Sequence, residues 1–116
     1  MISPFSRPQP EIRRVVRQLT LSNEHGLHAR PATELVRCVA AFQSTITIAS
    51  NGKSYRADRI MEVLLADLNC GDTFMIEAVG PDAIQAVARI TQLVASLKEL
   101  EEKARRAKNP HREIID

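Results

Sequence analysis

An α+β open-faced sandwich is the fold class this sequence predicts, and three observations carry it. The hydrophobic period switches between two and 3.6 along the chain, giving the order strand, helix, strand, strand, helix, strand, helix, or βαββαβα. The strands alternate apolar and polar residues, as strands with one covered face do, rather than running continuously apolar as in a parallel sheet. Each helix carries one apolar stripe, so a four-stranded antiparallel sheet with three helices on one side lets the elements cover one another in two layers. A chain of 116 residues suits one such domain.

Residues 1–12 contain Pro4, Pro8 and Pro10 with Ser3 and Ser6 and read as a flexible, proline-rich tail. The domain is expected over residues 13–100, with 101–116 as a charged helical extension and tail. Arg14 to Leu21 reads as the first strand, since Leu19 and Leu21 alternate with Gln18 and Thr20. Ser22 to Gly26 is a loop. From Ala29 to Phe42 the stripe Ala32, Leu35, Val36, Val39 and Phe42 predicts a helix. Pro31 falls in its first turn, where a missing N–H costs nothing, which puts His28 at or beside the N-cap.

Thr45 to Ile48 alternates, and Asn51-Gly52 supplies a type I′ turn into Lys53–Arg56, the clearest hairpin signal in the chain. Asp58 is expected to cap a short helix with Ile60, Val63 and Leu64 inward. Gly71-Asp72 turns the chain into a strand from Thr73 to Val79 with Phe74, Ile76 and Ala78 inward. Asp82 and Gln85 fit a capping box for a last helix whose stripe is Ile84, Val87, Ala88, Thr91, Val94 and Leu97. That helix runs on as an increasingly polar rod until Pro110 ends it.

Composition narrows the function. Sixteen basic residues against fourteen acidic ones give a net charge of +2, and the basic clusters Arg13–Arg17 and Lys103–Lys108 read as solvated faces. With aromatics at 3% (Phe5, Phe42, Tyr55 and Phe74), stacking platforms for nucleic acid are lacking. Cys38 and Cys70 stand in unlike contexts and read as reduced thiols of a cytoplasmic protein. No apolar run approaches the ~20 residues that span a membrane. Nucleic acid and membrane are therefore not expected partners, and no cofactor or metal is expected. His25 and His28 across a glycine-containing loop make a poor metal pair.

The stretch that carries chemistry is Gly26-Leu27-His28-Ala29-Arg30-Pro31-Ala32. A histidine offers a neutral, nucleophilic ring nitrogen near neutral pH. At a helix start it sits beside unpaired backbone N–H groups that can hold an anion. Arg30 adds a fixed positive charge suited to a phosphoryl oxygen. Such a site can take a phosphoryl group onto imidazole and release it again. The bland alternative is an N-cap histidine beside a surface arginine.

That seven-residue motif resembles the active-site motif of the HPr family, the histidine phosphocarriers of the bacterial phosphoenolpyruvate-dependent phosphotransferase system. Ser50-Asn51-Gly52-Lys53-Ser54 resembles the family's second recurrent stretch, and the element order agrees with the family fold over about Arg14 to Leu100. The resemblance implies a carrier rather than a free-standing enzyme. Phosphorylated Enzyme I would pass the group to Nδ1 of His28, and an IIA protein or domain would receive it. Arg30 and the backbone N–H groups of Ala29 and Arg30 would contact phosphate, and Leu27, Ile60, Met61 and Leu64 would form the docking patch. A regulatory protein of the same fold, docking on a kinase or transcription factor, is the alternative. The sugar-uptake and nitrogen-related branches are both open. Ala29, the unusual second helix and Arg59 at the position of the family's regulatory serine lean toward the regulatory branch.

Overall fold

The computed structural model describes residues 12–108. In chain order the elements are β1 (Arg13–Thr20), α1 (Ala29–Val39), β2 (Thr45–Ser50), β3 (Lys53–Arg56), α2 (Ile60–Leu65), β4 (Thr73–Gly80) and α3 (Ala83–Lys108). The expected tail prolines and Pro110 lie outside the described residues. The strands form one antiparallel sheet in the order β1-β4-β2-β3. Because β4 lies between β1 and β2, the first strand is reached only by the last, and the loop after β1 is brought to the same end of the sheet as the loop before β4. Leu21 N donates to Asp72 O at 3.0 Å and Gly71 N to Leu21 O at 2.7 Å, tying those two loops together.

The inward face follows the two-residue period. Leu19 pairs with Phe74, Ile48 with Ile76 and Ile46 with Ala78. All six are buried and meet Leu35, Val63, Ile90, Val94 and Leu97 from the helices in one core. The β2–β3 hairpin turns on Asn51 (φ 53°) and Gly52 (φ 77°), both left-handed as a type I′ turn requires.

Four local expectations are corrected. Asp58 does not cap α2: Arg59 occupies the N-cap, and the Asp58 carboxylate instead binds Arg56 through Nε (3.1 Å) and Nη2 (2.8 Å). The guanidinium two residues away offers two charge-assisted donors where the cap offered one backbone N–H. Asp82 likewise forgoes the capping box with Gln85. Its carboxylate accepts from Gln43 N (2.8 Å), Ser44 N (2.9 Å) and the Ser44 hydroxyl, because Gly80 packs directly on Ser44, leaving no room for a Cβ, and so brings the start of α3 against this loop. The stripe of α3 is also rotated. Ala83, Ala86, Ile90 and Leu93 face the core along with Val87, Val94 and Leu97, whereas Ile84 and Ala88 point out. Ile60 on α2 turns outward too, leaving Val63 as that helix's buried residue.

Candidate active site

His28 is the N-cap of α1, in extended backbone (φ −105°, ψ 160°), and its side chain makes no capping hydrogen bond, so the imidazole is released for other work. The next residue, Ala29, has φ 34°, a left-handed conformation that costs a non-glycine residue on the order of 1 kcal/mol. Gly26 (φ 61°) lies against the Leu68 carbonyl and Asn69 so closely that any Cβ would overlap them. Leu27 N donates to Leu68 O at 2.9 Å. The loop before α1 is thus clamped to the segment between α2 and β4.

That clamp brings Asn69 to the imidazole. His28 Nε2 and Asn69 Oδ1 are 2.8 Å apart. The amide's orientation is fixed from its other end, where Asn69 Nδ2 donates to Asp67 O at 3.0 Å. Oδ1 can only accept, so Nε2 carries the proton, and the lone pair of the neutral ring is at Nδ1. Asp67, in a left-handed turn (φ 48°), holds a carboxylate oxygen 3.6 Å from Nε2.

The backbone N–H groups of Ala29 and Arg30 belong to the first turn of α1 and have no carbonyl a turn earlier to bind. Pro31 contributes no N–H, and Ala32 N reaches the His28 carbonyl at 3.4 Å. Arg30 is exposed and forms no ion pair among the described residues. A cleft of about 520 Å³ opens beside these groups, bounded by His25, His28, Arg30 and Pro31 on one side and by Leu97, Leu100, Glu101, Ala104 and Arg105 of α3 on the other.

His25 is differently committed. Its Nδ1 lies 3.0 Å from Glu101 Oε1, so that nitrogen carries a proton and cannot act as the nucleophile. Of the residues expected to dock a partner, Leu27 is corrected: at 1% exposure it is a core residue, drawn inward by its bond to Leu68. Leu64 is half-buried against the core. Ile60 and Met61 are exposed, Met61 at 67%, and Leu65, which helical periodicity alone does not single out, is exposed at 69%. Asn69 and Glu101 lie far from the motif in sequence, so no local signal points to either.

Among the described residues, no helix is long and apolar enough to cross a membrane. The family model described as the PTS HPr component phosphorylation site matches residues 15–96. The phosphocarrier protein HPr of Vibrio cholerae is 37% identical over 81 residues, covering 70% of this chain and 95% of that protein. The phosphocarrier protein NPr of Proteus mirabilis is 37% identical over 69% of this chain and 90% of its own length. The chain also matches the phosphoryl donor subunit DhaM of a dihydroxyacetone kinase from Pantoea ananatis, 33% identical over 92 residues, but spans only 19% of that protein's length. An HPr structure from Thermoanaerobacter tengcongensis superposes with a TM-score of 0.71 at 27% identity, covering 73% of this chain and 96% of that one. With the family model covering most of the domain and the fold shared, the chain belongs to the PTS HPr family.

Proposed function

We propose that the chain is a phosphohistidine carrier in which Nδ1 of His28 accepts a phosphoryl group from phosphorylated Enzyme I and passes it to an IIA protein or domain. The observation that carries this reading is the His28–Asn69 hydrogen bond, which keeps the proton on Nε2 and the lone pair on Nδ1. In the transfer, the Nδ1 lone pair forms the new N–P bond as the bond from phosphorus to the donor breaks and its electron pair returns to the donor. Nε2 keeps its proton throughout, so the ring becomes phosphorylated without a base to deprotonate it. The reverse sequence delivers the group onward. Arg30 and the first-turn N–H groups of α1 are suited to the phosphoryl oxygens.

Exposed Ile60, Met61 and Leu65 on α2 support a docking surface for these partners, because adjacent large apolar side chains left in solvent mark contact sites. The test is direct. Incubated with phosphoenolpyruvate and Enzyme I, the protein should acquire one acid-labile phosphate, located on His28 by mass spectrometry, and His28→Ala should acquire none while folding normally. An H28A variant that is still phosphorylated to the same extent would refute the assignment. Arg59, standing where the family's switch serine would be, supports the regulatory branch over sugar uptake; offering the phosphorylated carrier to IIA proteins of both branches and comparing transfer rates tests that reading.

A further inference from the structure

The family match ends at residue 96, yet α3 continues without interruption to Lys108. The added turns return to the active-site loop. Glu101 Oε1 accepts from Asn23 Nδ2 (2.8 Å), His25 N (3.0 Å) and His25 Nδ1 (3.0 Å), and Oε2 accepts from Glu24 N (2.9 Å). One carboxylate, only 11% exposed, therefore collects four donors from three consecutive residues more than seventy positions earlier in the chain. Arg105, one turn further, pairs with Glu24. Fully buried Asn23 links this network to the loop's far end, since the same Nδ2 donates to Gly26 O at 2.9 Å. Its Oδ1 has no partner among the described residues, so the amide is oriented entirely by the two acceptors it serves.

We propose that Glu101 is a positioning residue for phosphoryl transfer: from the α3 extension it fixes residues 23–26, and through Gly26 and Leu27 it sets where His28 presents Nδ1 to the incoming group. The inference rests on His28 being the acceptor. Glu101 touches neither the reacting nitrogen nor Asn69. It acts by holding the chain that enters the N-cap, whose other anchor is Leu27 N on Leu68 O. With Glu101 removed, the exposed N–H groups of Glu24 and His25 turn to water, Asn23 keeps one acceptor in place of two, and the loop is left with Leu27 N on Leu68 O and the exposed Arg105–Glu24 pair. The imidazole then samples orientations off the line of attack. In-line transfer between two held groups is sensitive to displacements of this kind. The docking residues on α2 are elsewhere, so partner affinity should be preserved.

The test compares the wild type, Glu101→Ala, Glu101→Gln and the control Glu102→Ala, which removes the same charge from an exposed neighbouring position. Each is assayed as the substrate of phosphorylated Enzyme I, and the ring signals of His28 are followed by 15N NMR without phosphorylation. The expected result is about a tenfold lower kcat with little change in KM for E101A, a smaller loss for E101Q, whose amide oxygen still accepts, and wild-type behaviour for E102A. The His28 ring signals of E101A should move toward averaging of the two tautomers. Should E101A lose its fold, the kcat and NMR readings of the near-isosteric E101Q decide the matter. Wild-type kcat with unshifted His28 signals would overturn the proposal, as would a loss confined to KM or one that E102A shares. Absence of phosphate on wild-type His28 would instead overturn the carrier reading, and the NMR comparison would still judge whether Glu101 positions the ring.

Discussion

Asn69 Oδ1 stands 2.8 Å from His28 Nε2, forty-one residues on in the chain, and so leaves the lone pair of the neutral ring on Nδ1, the nitrogen proposed as the nucleophile. In Asn69→Ala the neutral ring loses the added preference for the Nε2–H form that this bond supplies. A neutral hydrogen bond of this kind is worth about 0.5–1.5 kcal/mol net, so transfer should slow roughly two- to tenfold. Two-bond 15N–1H correlations should change from one dominant tautomer to a mixture. A variant with wild-type transfer and a single Nε2–H tautomer would show that the amide is a bystander.

The proposed docking surface gives a second prediction. Ile60→Glu, Met61→Glu and Leu65→Glu should each slow phosphoryl exchange with Enzyme I while the circular dichroism spectrum stays native, because all three side chains project into solvent. Leu27→Ala should behave in the opposite manner. It removes a fully buried side chain and should cost about 2–5 kcal/mol of stability. Native exchange rates in all three α2 variants would eliminate that face as the contact.

The fold was legible because its signals are local. Alternation in Thr45–Ile48 and Thr73–Val79, the Asn51-Gly52 turn and Pro31 one turn into α1 each depend on neighbouring residues, and each appears where expected. The loop proposed to react was legible for the same reason, as a motif of consecutive residues. What escaped was everything decided by distant partners. Asp58 and Asp82 look like caps in sequence, but Arg56 and the Ser44 loop offer their carboxylates more donors. Leu27 looks available beside His28 until Leu68 draws it into the core. Glu101 lies in a charged run whose residues differ only by which one faces the loop, and helical phase alone does not say where that loop will be.

Acid should loosen the domain at two identifiable places. Hydrogen bonds from the Ser44 hydroxyl and then the Gln43 backbone hold Asp82 below its ordinary value of 3.8. Burial tends to raise Glu101, but the bonds from Asn23 and His25 outweigh it and hold that group below 4.5. A depressed carboxylate contributes stability that is complete above its unfolded value and is lost as pH falls through the folded one. Melting temperatures measured from pH 7 downward should therefore hold level with respect to these groups until about pH 4.5, then decline. Ser44→Ala should lower stability near neutrality and make the acid decline shallower, because it removes the largest cause of the Asp82 shift. An unchanged acid limb in S44A would show that the hydroxyl does not hold the carboxylate.

Regulation by a serine kinase should be absent. In many relatives the residue starting the second helix is a serine that an ATP-dependent kinase phosphorylates, and the resemblance of Asn51-Gly52-Lys53-Ser54 to the family's stretch puts Arg59 at that position. Arg59 is the N-cap of α2, in extended backbone, with Nη1 3.2 Å from Glu62 Oε2. Its guanidinium accepts no phosphate in that chemistry and carries charge of the opposite sign beside Ile60 and Met61. A phosphoserine there would add about two negative charges to the proposed docking face, whereas Arg59 would keep it attractive to acidic partner surfaces. Ser54 is exposed but belongs to β3, paired with Ala49, and lies at no helix start. Incubation with the family's serine kinase and labelled ATP should leave the wild type without stoichiometric acid-stable phosphate. Arg59→Ser should accept phosphate and then exchange more slowly with Enzyme I, since the added charge falls on the docking face. Stoichiometric phosphate on Ser54 of the wild type, with weakened Enzyme I exchange, would show that the switch has moved to the hairpin rather than been lost.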